Sequence, residues 1–200
     1  VEVQVFIVGS EGQKSRQMVS GHGFRYHEYS NSNLSHKHNH ACKQARSWKA
    51  DYCLFLGSDD VISQDTYLFL ESEMKKGTDF VGFTDFYFYD MQSDKVAYWG
   101  GYRDTRKGHT VGAGRLVSRK LMDRWRWEPF DSRHRNVLDD SMQQKLRSEK
   151  YSSTIVSLKE KGLHAIDIKS PVNMTPFQLW DNTEYIDRSE LKQVFPWMIK

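Results

Sequence analysis

A short apolar run that ends in adjacent acidic residues constrains this chain more than any other feature. Tyr52–Leu56 is continuously apolar, and Gly57-Ser58-Asp59-Asp60 follows it directly. Runs of this kind are typical of strands buried in a parallel sheet. A helical pattern, Gln64–Lys76, comes next. We therefore expect the acidic residues at the carboxyl end of a strand, where α/β proteins bind their ligands.

The rest of the first half alternates between strand and helix patterns. Strands are expected at Val1–Val8, Phe24–Tyr29 and Asp79–Tyr89, and helices at Gln13–Ser20 and from an N-cap at Ser35 to about Trp48. Short connections between such elements favour an α/β sheet with right-handed crossovers.

The second half is less regular. The pattern predicts a strand at Lys95–Tyr102, a polar loop at Tyr102–Thr110, helices at Ser118–Trp125 and Asp139–Glu149, a hairpin of Thr154–Leu158 with Ala165–Ile168, and a tail from Asn182 that is helical near Ser189–Val194. We predict a single α/β domain over residues 1–200, with a mostly parallel central sheet flanked by helices and a small antiparallel element in its second half.

Composition indicates an ordinary globular protein, since 38% of the residues are hydrophobic and 28% are charged. No apolar run approaches the roughly 18 residues that a membrane helix needs. The two cysteines, Cys42 and Cys53, suggest no disulfide framework, so a reducing cytoplasm is the expected location. No signal peptide is recognised, and a chain that starts at Val1 is expected to be trimmed or renumbered.

Basic residues are concentrated in one stretch, Arg115–Arg135, although the net charge is only +3. Such a stretch is suited to an anionic partner, and it is equally compatible with a solvated basic face.

The adjacent acids Asp59 and Asp60 have a chemical use at a strand end. Two carboxylates there can hold Mg²⁺ or Mn²⁺ against a diphosphate, because hard cations prefer oxygen ligands. The same pair would also suit a solvent-facing turn or a helix N-cap.

The stretch from Ser30 to Ile62 resembles a family 2 glycosyltransferase of the GT-A fold. In that family a helix of the type N-x-G-x-x-x-A precedes a strand that ends in D-x-D-D. Here Asn39 and Ala45 keep the spacing, Ala41 stands where Gly is usual, and Gly57-Ser58-Asp59-Asp60 matches the acidic motif without its first carboxylate. The likeness covers most of residues 1–150, and the segment after about Tyr151 matches no family that we can name.

The resemblance implies an inverting glycosyltransferase that uses a nucleotide diphosphate sugar, with a UDP-sugar favoured, and Mn²⁺ or Mg²⁺. Residues 1–94 would bind the nucleotide sugar, residues 95–181 would bind the acceptor and catalyse, and residues 182–200 would form a tail. The residues expected to bind the donor are Gly9, Ser10, Ser30, Asn31, His38, Asn39, Ser58, Asp59 and Asp60. With Gly57 in place of an acid, the metal would depend mainly on Asp59, helped by Asp60.

In the second half, Leu138-Asp139-Asp140 resembles the acidic dyad that supplies the catalytic base. The resemblance makes Asp140 the base and Asp139 its neighbour. Acids at the start of a helix are stabilised by its dipole and stay ionised, although first-turn acids also occur without a catalytic role.

Other residues are candidates by their type and position. His109, in the polar loop, is a candidate metal or phosphate ligand, while Trp99, Gly114, Arg115 and Trp127 are candidates for acceptor binding. His36 and His40 have a spacing known for zinc ligands, but no glutamate follows the first histidine, and we do not expect a zinc site there.

The acceptor and the reaction class leave alternatives open. A glycan, a lipid-linked or phosphorylated acceptor, or a modified nucleic-acid base reached through Arg115–Arg135 would each suit the chain. A nucleotidyltransferase also uses paired acids, and residues 9–14 contain a weak version of its glycine- and lysine-bearing loop. A non-catalytic nucleotide-sugar-binding domain would explain the missing carboxylate at Gly57.

Overall fold

Residues 1–131, 133, 138–173, 177 and 182–198 are described by a computed structural model, and they form a mixed α/β protein with both parallel and antiparallel strand pairs. The chain divides into two units. Unit 1 comprises Val1–Cys53 and Val117–Tyr151, and unit 2 comprises Leu54–Leu116 and Ser152–Lys200.

The strands are β1 (Phe6–Gly9), β2 (Arg25–Glu28), β3 (Tyr52–Phe55), β4 (Asp60–Ile62), β5 (Phe80–Phe83), β6 (Phe86–Asp90), β7 (Lys95–Trp99), β8 (Arg115–Ser118), β9 (Ser153–Val156), β10 (Ala165–Lys169) and β11 (Thr183–Ile186). The α-helices are α1 (Gln13–Gly21), α2 (Leu34–Arg46), α3 (Gln64–Lys76), α4 (Arg119–Arg124), α5 (Leu138–Arg147), α6 (Leu158–Lys161) and α7 (Ser189–Lys192). Short 3-10 turns occur at Asp104–Arg106 and Pro196–Met198.

Unit 1 contains the parallel pair of β1 with β2, in which Gly9 lies opposite Glu28. Helix α2 begins one residue earlier than its predicted cap, because the side chain of Asn33, not Ser35, accepts a hydrogen bond from the backbone N–H of His36 at 3.2 Å. Ser35 is instead buried within the first turn. The largest core side chains of unit 1 are Leu121, Met122, Trp127, Met142 and Leu146.

Unit 2 contains a five-stranded sheet in the order β11-β7-β6-β10-β4. Strands β6 and β10 are parallel, and the other three pairs are antiparallel. This differs from the predicted mostly parallel sheet. For the pair β6 with β7 the reason is local: a tight turn joins the two strands, and its Asp94 accepts a hydrogen bond from the Tyr89 hydroxyl at 2.8 Å, so the chain doubles back as a hairpin. The antiparallel pairs of β7 with β11 and of β10 with β4 join strands that are far apart in the sequence.

A second sheet has the order β3-β8-β5-β9. Strand β9 pairs in parallel with β5, so that Phe80 lies opposite Ser153. The core side chains of unit 2 include Leu70, Phe80, Phe83, Leu116, Leu158 and Ile166.

The predicted hairpin of Thr154–Leu158 with Ala165–Ile168 is wrong. Its two strands pair with different partners, β9 with β5 and β10 with β6 and β4. The segment expected to be a turn forms the helix α6. The Ser157 hydroxyl caps the start of this helix by accepting a hydrogen bond from the backbone N–H of Glu160, and Gly162 caps its end in the left-handed conformation. A well-capped helical turn separates the strands and leaves each one to pair over long range.

Of the described helices, none combines the length and the apolar character that a membrane crossing requires. Cys42 and Cys53 are both free thiols.

Candidate functional site

The turn after β3 is closed by an acidic side chain. The Asp60 carboxylate accepts a hydrogen bond from the backbone N–H of Gly57 at 2.5 Å. A Cβ atom added to Gly57 would lie 2.6 Å from Asp59 Oδ1 and 2.8 Å from Asp60 Oδ2. A side chain at position 57 would therefore require the carboxylates of Asp59 and Asp60 to move.

A third carboxylate joins the turn from a distant part of the sequence. Strand β4 pairs with β10 so that Asp60 stands directly opposite Asp167, and the backbone oxygen of Asp59 accepts from the Ile168 N–H at 2.7 Å. One oxygen from each of Asp59, Asp60 and Asp167 lies within 4.8 Å of the others. We call these three half-buried residues the acidic cluster.

Burial and mutual repulsion disfavour the charged forms of two members of the acidic cluster. Burial, with Asp167 and Asp59 nearby, raises the pKa of Asp60 to about 7, although the Gly57 N–H and Lys169 act in the opposite direction. Burial likewise raises the pKa of Asp167 to about 6, against the lowering effect of Lys169. A bound cation would remove this repulsion.

Two further side chains surround the acidic cluster. Lys169, whose side chain is only 7% exposed, places Nζ 2.7 Å from Asp167 Oδ2. Asn173 donates to Asp59 Oδ2 at 2.5 Å, and its own oxygen accepts from the backbone N–H and the hydroxyl of Ser170 at 2.6 Å. The orientation of Asp59 is thus held by the loop after β10.

The donor set fits a hard divalent cation. Asp167 Oδ1 is buried and has no hydrogen-bond partner within the described part of the chain. Carboxylate oxygens close together are the ligands that Mg²⁺ and Mn²⁺ prefer. Asp59 and Asp60 were predicted from sequence, whereas Asp167 was not. Its one local signal is an acid set between Ile166 and Ile168, which are both apolar.

His109 is not part of the acidic cluster. Its backbone N–H donates to the Arg106 oxygen at 2.9 Å, and its ring makes an edge contact with Tyr102 at 6.4 Å between centroids. Ser58, the other predicted residue of the turn, is exposed.

In unit 1, the predicted donor-binding residues at the ends of β1 and β2 have local partners. The Ser10 N–H and hydroxyl both donate to the Glu11 carboxylate at 3.0 Å. The Ser30 hydroxyl accepts from the Ser32 N–H at 3.1 Å, and the Asn31 oxygen accepts from Lys37 Nζ at 2.6 Å. These groups are exposed or half-buried. Gly9 is buried against Tyr26, whose ring would lie 2.6 Å from an added Cβ.

His38 and Asn39 of α2 both contact Phe130. The Asn39 amide donates to the Phe130 carbonyl at 2.7 Å and accepts from the Phe130 N–H at 3.0 Å. The His38 ring meets the Phe130 ring edge-on at 5.3 Å, and burial followed by the charge of Lys37 lowers the pKa of His38 to about 4. Both side chains therefore serve packing within unit 1, and Asn39 has both ends of its amide occupied.

Asp139 and Asp140 lie in the first turn of α5 and are half-buried. Their position at a helix start agrees with the predicted one. The preceding residues 134–137 lie outside the described part, so Arg135 does too.

The predicted acceptor-binding residues are mostly interior. Arg115 is 1% exposed and donates to the Thr110 hydroxyl and carbonyl at 3.0 and 2.7 Å. Trp127 is fully buried, and its indole N–H donates to Asp123 at 2.7 Å. Gly114 packs against a Phe83 ring, and Trp99 is half-buried in β7. The side chains of Arg115 and Trp127 are not accessible to an acceptor.

Several cations in the basic stretch are ion-paired within unit 1. Arg119 pairs with Asp123 at 3.4 Å, Arg124 with Glu149 at 3.3 Å and Arg133 with Asp131 at 2.6 Å.

No family model matches the chain, and no curated protein matches it. Among solved structures, the chain is similar to A197 from STIV, with 14% identity and a TM-score of 0.47, over 80% of this chain and 82% of that chain.

Proposed function

We propose that this protein is an inverting glycosyltransferase of the GT-A type, which transfers a sugar from a nucleotide diphosphate sugar to an acceptor hydroxyl. The observation that carries the proposal is the acidic cluster, in which one carboxylate oxygen from each of the three residues lies within 4.8 Å of the others. Asp59, Asp60 and Asp167 would hold Mn²⁺ or Mg²⁺. A cation bound there would neutralise charge on the leaving diphosphate.

Asp167 supplies a third carboxylate to the proposed metal site, where the family motif would have an acid at the position of Gly57. It stands opposite Asp60 in the β4–β10 pair, so its place is set by the backbone register. Lys169 holds the other oxygen of Asp167 and compensates part of the negative charge before a cation arrives. Asn173 keeps Asp59 oriented.

The remaining roles come from the resemblance. Asp140 would accept the proton of the acceptor hydroxyl, and Asp139 would orient it. Both residues lie in the first turn of α5. The exposed and half-buried groups of Ser10, Ser30 and Asn31 would contact the nucleotide, with a UDP-sugar favoured. Arg115, Trp127 and Asn39 are left out because their side chains are buried.

The test is donor cleavage with water as the acceptor, which requires no knowledge of the natural acceptor. The protein is incubated with UDP-sugars and GDP-sugars, with Mn²⁺ or with EDTA, and the products are separated by chromatography. We expect slow, Mn²⁺-dependent release of the nucleoside diphosphate. Pyrophosphate release would indicate a nucleotidyltransferase, and donor binding without cleavage would indicate a non-catalytic domain; either result overturns the proposal.

Variants separate the roles. Asp59→Asn and Asp167→Asn should remove the Mn²⁺-dependent increase in melting temperature that a nucleotide donor produces. Asp140→Asn should keep that increase and lose cleavage. Asp51→Asn is the matched control, since Asp51 is exposed just before β3, at its other end. Wild-type cleavage by Asp140→Asn would contradict the assignment of the base.

Acceptor classes can be compared with the same protein. Glycan, phosphorylated or lipid-linked glycan, and nucleic acid are offered in turn with the donor that is cleaved. Binding to DNA through the basic stretch would weaken steeply as salt is added. Binding that is absent or insensitive to salt would remove the nucleic-acid acceptor.

A further inference from the structure

Two histidines of unit 1 meet from elements that are separate in sequence. His27 lies on β2 and His40 lies on α2. Nδ1 of His27 is 3.4 Å from Nε2 of His40, and the ring centroids are 5.6 Å apart. The sequence spacing suggested His36 as the partner of His40. In the fold, the neighbour of His40 is instead His27 on strand β2.

The separation of the two nitrogens matches that of two ligands on one metal ion. Zinc binds imidazole nitrogens at about 2.0–2.1 Å, so at the tetrahedral angle two such nitrogens lie about 3.3 Å apart. Without a metal, one ring donates to the other through a single hydrogen bond. A metal ion would take the place of that shared hydrogen, and the ring that donates it would bind as its other neutral tautomer, with its proton on the opposite ring nitrogen.

Neighbouring rings hold both imidazoles in place. The Tyr29 ring lies 4.8 Å from the His40 ring, and the Phe6 ring lies 4.9 Å from the His27 ring. His27 is exposed and His40 is half-buried, so water can supply the remaining ligands. Lys43, the cation one turn further along α2, is ion-paired with Glu128.

We propose that His27 and His40 form a binding site for a late first-row divalent metal, Zn²⁺ or Cu²⁺, which joins strand β2 to helix α2. The ligand chemistry separates this site from the acidic cluster. Imidazole nitrogen suits zinc and copper, whereas carboxylate oxygen suits magnesium and manganese. The proposal stands independently of the proposed function.

The test is calorimetric titration of the full chain with Zn²⁺ alone, using variants of single histidines. His27→Gln and His40→Gln each remove one ligand and keep a polar side chain. His36→Gln is the matched control, because His36 is exposed on the same helix one turn before His40. Each titration is repeated in the Asp167→Asn background to exclude zinc bound by the acidic cluster.

We expect the wild type and His36→Gln to bind one equivalent of zinc, and His27→Gln and His40→Gln to lose that equivalent. Retention of the equivalent by both of these variants, or its absence from the wild type, overturns the proposal. A second test uses only the wild-type protein, so it does not depend on the folding of a variant. It is electron paramagnetic resonance with one equivalent of Cu²⁺. Coupling to two imidazole nitrogens is the expected signal, and a spectrum without nitrogen coupling overturns the proposal.

Discussion

Asp60 and Asp167 stand directly opposite each other in the antiparallel pair of β4 with β10. Like charges at opposed positions of a sheet are destabilising. Burial adds to this effect and raises the pKa of both carboxyl groups, to about 7 for Asp60 and about 6 for Asp167. The fold therefore keeps two acids together at a cost that a proton or a cation relieves.

This relationship predicts how stability depends on pH. Between about pH 4 and 7 these two carboxyl groups hold protons in the folded protein that the unfolded chain has already released, so their contribution to stability is full below this window and is lost as the pH rises through it. His38 acts in the opposite direction over the same window, because its pKa is lowered to about 4 in the folded protein. We expect the two carboxyl groups to lower the free energy of unfolding without metal by on the order of several kcal/mol across the window, and the difference between wild type and Asp167→Asn separates their contribution from that of His38. Urea denaturation in EDTA at a series of pH values measures it.

Asp167→Asn isolates the contribution of the pair. The variant should show a smaller loss of stability with rising pH, because Asp60 then faces a neutral side chain. Asp51→Asn, which changes an exposed acid, should keep the wild-type profile. Superimposable profiles for wild type and Asp167→Asn would contradict the electrostatic interpretation.

We expect the loss of the Asn39 side-chain amide to lower the stability of the protein strongly. Asn39→Ala leaves the N–H and the carbonyl of Phe130 without the partners they have at 3.0 and 2.7 Å. We expect a loss of about 2–3 kcal/mol, since unsatisfied buried polar groups are costly. Chemical denaturation measures it, with Asn31→Ala as the exposed control. Equal losses in the two variants would be inconsistent with this role.

Alanine substitutions at Gly114 and Gly108 separate the cost of backbone strain from the cost of a steric clash in packing. Both have a positive φ, 76° and 80°, but only at Gly114 does an added Cβ meet the Phe83 ring, at 2.7 Å. We expect Gly108→Ala to cost about 1 kcal/mol of strain and Gly114→Ala to cost about 1–3 kcal/mol more. Thermal unfolding compares the two, and similar melting temperatures would exclude the packing explanation.

The buried carboxylate of Asp85 holds the segment after β9 in place through several hydrogen bonds. It accepts hydrogen bonds from the Tyr98 hydroxyl at 2.7 Å, the Ser157 hydroxyl at 2.7 Å, and the backbone N–H groups of Leu158 at 2.6 Å and Lys159 at 3.1 Å. Asp85→Ala should lower the free energy of unfolding by about 3 kcal/mol or more. Glu160→Ala, an exposed acid on α6, is the control for denaturation experiments. A near-neutral effect of Asp85→Ala would show that water replaces the carboxylate.

Local signals predicted several elements well. Helix α3 has the predicted bounds, Gln64–Lys76, because the Ser63 hydroxyl caps its first turn and Gly77 ends it at a φ of 75°. The turn after β3 was also predictable, since an apolar run followed by Gly and two acids describes both a strand end and its polar exit. These features depend on residues within a few positions of one another.

Long-range pairing was not predictable in the same way. The sequence between Thr154 and Ile168 has the alternation of a hairpin, yet the two strands join different sheets. Register and partner are set by which apolar faces are buried together, and that choice involves strands far away in the chain. His27 with His40 is another such pairing, invisible to spacing along one helix.

The sequence by itself determined the strand that starts at Tyr52, the acids Asp59 and Asp60 that follow it, and the first-turn acids of α5, because propensity, capping and polarity act locally. Only the tertiary structure decided that Asp167 completes the acidic cluster and that Arg115 and Trp127 are interior. The physical reason is the same in each case. Burial and the contacts between distant strands follow from the register of the sheets, which no short stretch of this chain specifies alone.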